Sequence, residues 1–361
     1  MKIIKNLDNC FYGKGLIIIS PFFVSEKAFC LTSKLFEVIF SMRYLLITIG
    51  NIIMKNTQKL LCIGIIFFNC LFQLHAATAP TFYGKLVFHR YSDYEAWDSK
   101  LYLYNFTTQQ ITLLGTNWKI DHMMNGHFSP DGKWLTFMGV NSGQHYGDAW
   151  DVYVWKVGST ELPINLTQNN NKRDEDPKFI DNQRIIFKQN GDLKIVKMTD
   201  RTITSVTQNG WDIEESMPYP MVNTTQILYA KGAGNNSRIF SIDQSGAYDT
   251  QLTNIASYYP VWWQGSRFLY VRWYSPTNPH DQIYIYDMAN KQTTRLPFNN
   301  INYDTSDPAP LDQRYMVVSL AGQTGSRGGY DLYIADSLSS NVWPLPINTN
   351  LNELGAFYTP Y

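Results

Sequence analysis

A four-part unit repeats along this chain, and an internal repeat constrains a fold more tightly than any single motif. Its clearest copy is Gly126-His127-Phe128-Ser129-Pro130-Asp131-Gly132-Lys133-Trp134-Leu135-Thr136-Phe137. Two extended runs flank Ser-Pro-Asp-Gly, which places proline at the second position of a tight turn and glycine at its end. Asp151-Val152-Tyr153-Val154-Trp155 follows as an alternating strand, then Ile164-Asn165-Leu166-Thr167 as a short fourth one. The opening anchor recurs at Gly126, Pro177, Pro218, Pro260, Pro308 and Gly355, at intervals of 51, 41, 42, 48 and 47 residues. Second strands keep the same phase: Ile185-Ile186-Phe187, Ile227-Leu228-Tyr229, Phe268-Leu269-Tyr270 and Met316-Val317-Val318. Third strands at 193–196, 239–242, 283–286 and 332–335 follow, with closing pairs Leu252-Thr253, Arg295-Leu296 and Pro344-Leu345. Four short strands in every ~40–50 residues make an all-β propeller blade.

Ahead of Gly126 the unit lacks a strong opening strand, whereas Gly355-Ala356-Phe357-Tyr358-Thr359-Pro360-Tyr361 matches an opening strand and then stops. Closing the first blade with this C-terminal strand yields a six-bladed β-propeller and removes open sheet edges, which invite aggregation. The alternative is that Pro80-x-Phe82 opens the first blade and leaves the last strand spare.

The Ser-Pro-Asp-Gly-Lys-x-Leu-x-Phe run, the Asp-Val-Tyr-Val strand and the Leu-Thr ending resemble the repeat of TolB-type, WD40-like propellers over residues 82–361. The same repeat occurs in the propellers of prolyl-oligopeptidase-like enzymes. One blade alone carries the full turn; the others read Ile-Asp-Asn-Gln, Val-Asn-Thr-Thr, Gln-Gly-Ser-Arg and Leu-Asp-Gln-Arg. TolB proteins place an α/β domain before the propeller, for which this sequence has no room. The Gly-x-Ser-x-Gly elbow of a hydrolase domain is missing too. The resemblance implies protein interaction in a cell envelope, an analogy at the level of fold.

From Met54 a basic start, an apolar run over Leu60–Leu74 and the small-residue exit Ala76-Ala77-Thr78-Ala79 read as a signal peptide. The run is shorter than the ~20 residues a spanning helix needs. Residues 54–79 are therefore expected to be removed, leaving 80–361 periplasmic or secreted without stable membrane insertion. Residues 1–53 read as an upstream extension or a mis-assigned start. Cys10, Cys30, Cys62 and Cys70 all precede residue 80, so the repeat region has no disulfide, thiolate metal site or cysteine nucleophile. Residues 1–79 hold eight of the 30 Lys+Arg and three of the 30 Asp+Glu, so 22 basic and 27 acidic residues remain downstream. A nucleic-acid surface needs clustered basic residues, and none appears.

Strand alternation puts fourth-to-first connections and second-to-third loops on one face of the disc. That face collects Asp121, His122, Asp174, Glu175, Glu214, Glu215, Tyr258, Asp304, Asp307 and Glu353, with Trp97, Tyr146 and Trp273. An acidic, aromatic channel mouth suits a protein or peptide partner with cationic groups, a bound Ca²⁺, or a carbohydrate stacked on Trp and Tyr. The competing reading is that carboxylates beside proline-initiated strands accept backbone amides and merely fix turns. His122 beside Asp121 has the composition of a general base or metal ligand, or of a turn histidine at the surface. No His-x-x-x-His pair supports zinc. The expected function is a monomeric, non-catalytic protein- or peptide-binding module. The alternative is a carbohydrate-active propeller (lyase, glycosidase or lectin) using the same mouth.

Overall fold

A computed structural model describes residues 78–361 apart from 146–148, 169–170 and 323–328. The expectations for 1–53 and 54–79, and for Tyr146, lie outside the described residues. Six antiparallel sheets of four strands each form the ring. Blade 1 takes its inner strand from the C-terminus (Asn352–Thr359), followed by Lys85–Tyr91, Lys100–Asn105 and Gln110–Leu113. The expected closure is therefore the observed one, and Pro80 and Phe82 lie outside any strand. The inner strands of blades 2 to 6 are Ile120–Phe128, Asp174–Phe179, Glu215–Pro220, Tyr258–Gln264 and Tyr303–Pro310.

Packing lies between blades, because each sheet buries both faces against its neighbours. Leu86, Phe88 and Tyr104 of blade 1 meet Val317, Leu332 and Ile334 of blade 6. Leu228, Ala230 and Ile239 of blade 4 meet Phe268, Tyr270 and Tyr284 of blade 5. This is why the second and third strands read as near-continuous apolar runs rather than strict alternations.

The Leu-Thr ending has a local cause. The third strands carry Leu101, Val152, Leu193, Ile239, Ile283 and Leu332, all fully buried, so their backbone amides need partners out of reach of water. In blades 2, 3 and 4 the hydroxyls of Thr167, Thr207 and Thr253 accept from Val152, Leu193 and Ile239 at 2.9–3.0 Å. Blades 5 and 6 substitute Asn299 and Asn348, which accept from Ile283 and Leu332 at 2.9 Å.

Closure rests on a buried ion pair. Arg90 Nε donates to Glu353 Oε1 at 2.6 Å across the terminal strand pair, while Arg90 NH2 donates to the Ile347 carbonyl at 2.6 Å. The Glu353 side chain is fully buried and also accepts from Thr349 Oγ1 at 2.6 Å. Removing one member strands a buried charge, which costs about 3–5 kcal/mol, whereas replacing both with apolar groups is often nearly neutral. Glu353→Ala is thus expected to lose stability on that scale in urea unfolding, and Arg90→Met with Glu353→Leu to recover most of it. A single and double variant of equal stability would refute this account of closure.

Candidate functional site

The channel is built by one irregularity repeated six times. Each inner strand carries a bulge in which two residues oppose one on the second strand: Asn125-Gly126 opposite Phe137, Asp176-Pro177 opposite Phe187, and Met217-Pro218 opposite Tyr229. The same holds for Tyr259-Pro260, Asp307-Pro308 and Gly355-Ala356, opposite Tyr270, Val318 and Phe88. The first residue of each pair is left-handed, with φ between 47° and 58°. Proline fits the second place because a bulged residue is outside the ladder and its missing N–H costs no hydrogen bond. In blade 1 the anchor shifts by one: Gly355 holds the left-handed place itself. A Cβ there would stand 2.3 Å from His89 Cε1, so only glycine fits.

The six left-handed residues line a central cavity of about 80 Å³, joined by Lys178, Tyr219, Val261 and Phe357 one step deeper. Asn125 Nδ2 donates to Asp176 Oδ1 at 2.7 Å. Burial pushes the Asp307 carboxyl up to about 6. Burial also raises Asp176, with the neighbouring Glu175 charge acting in the same sense. Tyr259 is surrounded by protein but keeps surface open to the channel, and burial followed by the Asp307 charge drives its hydroxyl well above the ordinary range.

A second group stands at the mouth on blades 5 and 6. Tyr258 hydroxyl donates to Asp281, whose carboxyl burial pushes up to about 6. Asp304 accepts from the Asp281 amide at 2.8 Å and lies 3.1 Å from His280 Nδ1. Burial, then Asp304, Asp281 and Asp307, raise Tyr330. Beside this group a cleft of about 870 Å³ runs between Trp211, Glu214, Gly232, Ser237, Tyr258 and Trp273. Its two tryptophans are among the most exposed large side chains, at 62% and 41%.

The structure divides the sequence-derived residues. Tyr258, Asp304, Asp307 and Trp273 gather at the mouth and throat, with Glu214 on the cleft wall. Asp174, Glu215 and Glu353 are fully buried two residues before the left-handed positions, where they bond Gln189, Asn209 and Arg90. Glu175 pairs with Arg173 at 2.7 Å and Lys188 at 3.1 Å, and Lys188 also reaches Glu214 at 2.5 Å. Asp121 faces His145 Nε2 at 3.1 Å, and Trp97 stacks on that imidazole. His122 is no surface turn residue: it is fully buried among Tyr94, Trp97 and Trp150 and receives the Ser99 amide on Nδ1. Burial holds this imidazole down to about 4.

Asn125, Lys178, Tyr259 and Tyr330 were missed as site residues, and Asp176 and Asp281, though on the acidic, aromatic face read from the sequence, were not selected. The signal for three of them was present, since each stands immediately before an anchoring Gly or Pro. Among the described residues no three His, Cys, Asp or Glu side chains gather as a metal site. No described helix is long and apolar enough to cross a membrane.

Asp307 offers a test of whether the throat is kept for ligand rather than for stability. Its folded pKa of about 6 exceeds the ordinary carboxylate value, so the folded chain holds this proton more tightly. The associated stability is intact below the unfolded pKa and is lost as pH rises through about 6. Asp307→Asn is therefore expected to stabilise by roughly 1–3 kcal/mol near pH 7 and by almost nothing near pH 3.5. Denaturant midpoints at the two pH values check this, and a gain that does not depend on pH would contradict it.

No protein-family model matches the sequence, and no curated protein matches it. Solved structures do. TolB from Acinetobacter baumannii superposes with a TM-score of 0.60 at 13% identity, over 81% of this chain and 71% of that one. Hydrazine synthase from Kuenenia stuttgartiensis gives 0.60 at 15% identity, over 77% of this chain and 46% of that one, so this chain spans less than half of that protein. A TolB described as putative, from Agrobacterium tumefaciens, gives 0.55 at 14% identity, over 77% of this chain and 99% of that one. At such identities the likeness bears on fold alone: the chain is a six-bladed β-propeller, similar in fold to these TolB structures.

Proposed function

We propose that this propeller is an exported, non-catalytic module that captures a protein partner by a cationic peptide segment entering the acidic mouth. One observation carries the reading. Asp176, Asp281, Asp304 and Asp307 converge with Tyr91, Tyr258, Tyr259 and Tyr330 on one opening, where carboxylate charges raise their neighbours' pKa values. A lysine or arginine side chain entering there relieves that repulsion and stacks on tyrosine as it pairs with carboxylate. The TolB-like fold supports a protein partner, and the leader read at 54–79 supports export. Carbohydrate is the second reading, favoured by the exposed Trp211 and Trp273 on the cleft wall. Ca²⁺ would compete for the same carboxylates.

Calorimetric titration of the full-length chain with Lys/Arg-containing peptides, their glutamate counterparts, oligosaccharides and Ca²⁺ separates these readings. The basic peptides are expected to bind more weakly as pH falls through about 6, because Asp281 and Asp307 take up protons there. Neutralising Asp281, Asp304 and Asp307 together to asparagine should weaken binding at least about tenfold, roughly 1.4 kcal/mol, while the fold persists. Saturable binding of an oligosaccharide with no binding of basic peptides would replace this reading with the second.

A further inference from the structure

Lys178 is a part-buried cation that the mouth as described does not use. It follows the left-handed Asp176 by two residues on the inner strand of blade 3 and lines the same central cavity. The equivalent places in other blades hold His127, Tyr219, Val261, Ala309 and Phe357, so no other blade puts a carboxylate or primary amine at this depth. Lys178 Nζ makes one long contact, 3.4 Å to the carbonyl of its neighbour Pro177. Among the described residues it takes part in no ion pair. The charged groups facing it are Asp176 and Asp307 on the cavity wall, and the buried His89 and His127 below. Burial lowers its pKa, which enlarges the fraction of free amine. A desolvated lysine of this kind is the usual starting point for imine chemistry.

We propose that the Lys178 amine is a covalent capture site for small, uncharged aldehydes entering through the mouth, with Asp307 and Asp176 as the proton carriers. Nζ attacks the carbonyl carbon and the new C–N bond forms as the carbonyl π pair moves to oxygen. The nitrogen gives up a proton and the oxygen gains one by way of a cavity carboxyl. Expulsion of that oxygen as water, protonated from the same carboxyl, leaves a protonated C=N, whose nitrogen then returns its proton to that carboxylate. Amine and aldehyde become imine and water, with no oxidant or reductant consumed. A cavity of about 80 Å³ accommodates a short chain, and the two carboxylates repel anionic carbonyl compounds such as α-keto acids. The inference does not depend on which macromolecule occupies the rim.

The probe is glycolaldehyde with cyanoborohydride, which reduces the imine to a stable secondary amine, applied to the full-length chain. Peptide mapping over time compares Lys178 with Lys133, whose side chain is 73% exposed. Lys178 is expected to be modified severalfold faster than Lys133, with pyruvate giving no adduct at Lys178. Asp307→Asn is expected to slow the Lys178 adduct and leave Lys133 unchanged, which separates proton carriage from a general loosening of the fold. Lys178 modified at the rate of Lys133 or more slowly, or modified equally by pyruvate, would overturn the proposal. Because the decisive comparison is made within the unaltered protein, it holds even if Lys178 variants do not fold.

Discussion

Everything in the channel depends on six left-handed residues. A side chain other than glycine in this conformation costs roughly 1–2 kcal/mol, and bulky ones such as Met217 and Tyr259 are rare there. The bulge repays that cost geometrically. It turns one residue of each inner strand out of the ladder and aims it at the axis, while the large residue opposite stays in the inter-blade core. Phe88, Phe137, Phe187, Tyr229, Tyr270 and Val318 occupy those opposing places and are at most 2% exposed. The same irregularity therefore shapes the channel wall and locks the layers that hold the blades together.

A ring so built concentrates whatever chemistry its six positions carry. Here they are Asn, Asp, Met, Tyr, Asp and Gly, with Lys178 below and Asp281 and Asp304 above. Two part-buried carboxyls raised to about 6 are a standing penalty at neutral pH. Contrast Glu353, fully buried but bonded to Arg90 and Thr349, which serves closure. Left-handed side chains and destabilising charge gathered at one opening support the proposed site, which trades stability for binding.

The blades also show how different residues solve one backbone problem. Threonine directly after the closing leucine or valine, or asparagine three residues after it, caps a buried amide of the third strand in five of the six blades. Asn299 does more than threonine, donating through Nδ2 to the carbonyls of Ile283 and Leu296. This is why the repeat drifts in length between about 40 and 50 residues without losing register. The hydrogen-bonding requirement is invariant, but the spacing of the residue that meets it is not.

Blade number, strand order and C-terminal closure were legible because they follow from local periodicity and tight turns, which are written in neighbouring residues. The mouth was legible only in outline. Loop placement by strand alternation found Tyr258, Asp304, Asp307 and Trp273, but it grouped them with Asp174, Glu215 and Glu353, which stand on the inner strands of other blades and are buried. A displacement of two residues along a bulged strand separates a channel carboxylate from a structural one, and the bulge was not read from the anchors that mark it. Sequence by itself determined the repeated four-stranded unit, its phase and its closure. Which side chains share the channel was decided by tertiary structure alone, because Asp176 and Lys178 of blade 3, Tyr259 of blade 5 and Asp307 of blade 6 are brought together only when the ring closes.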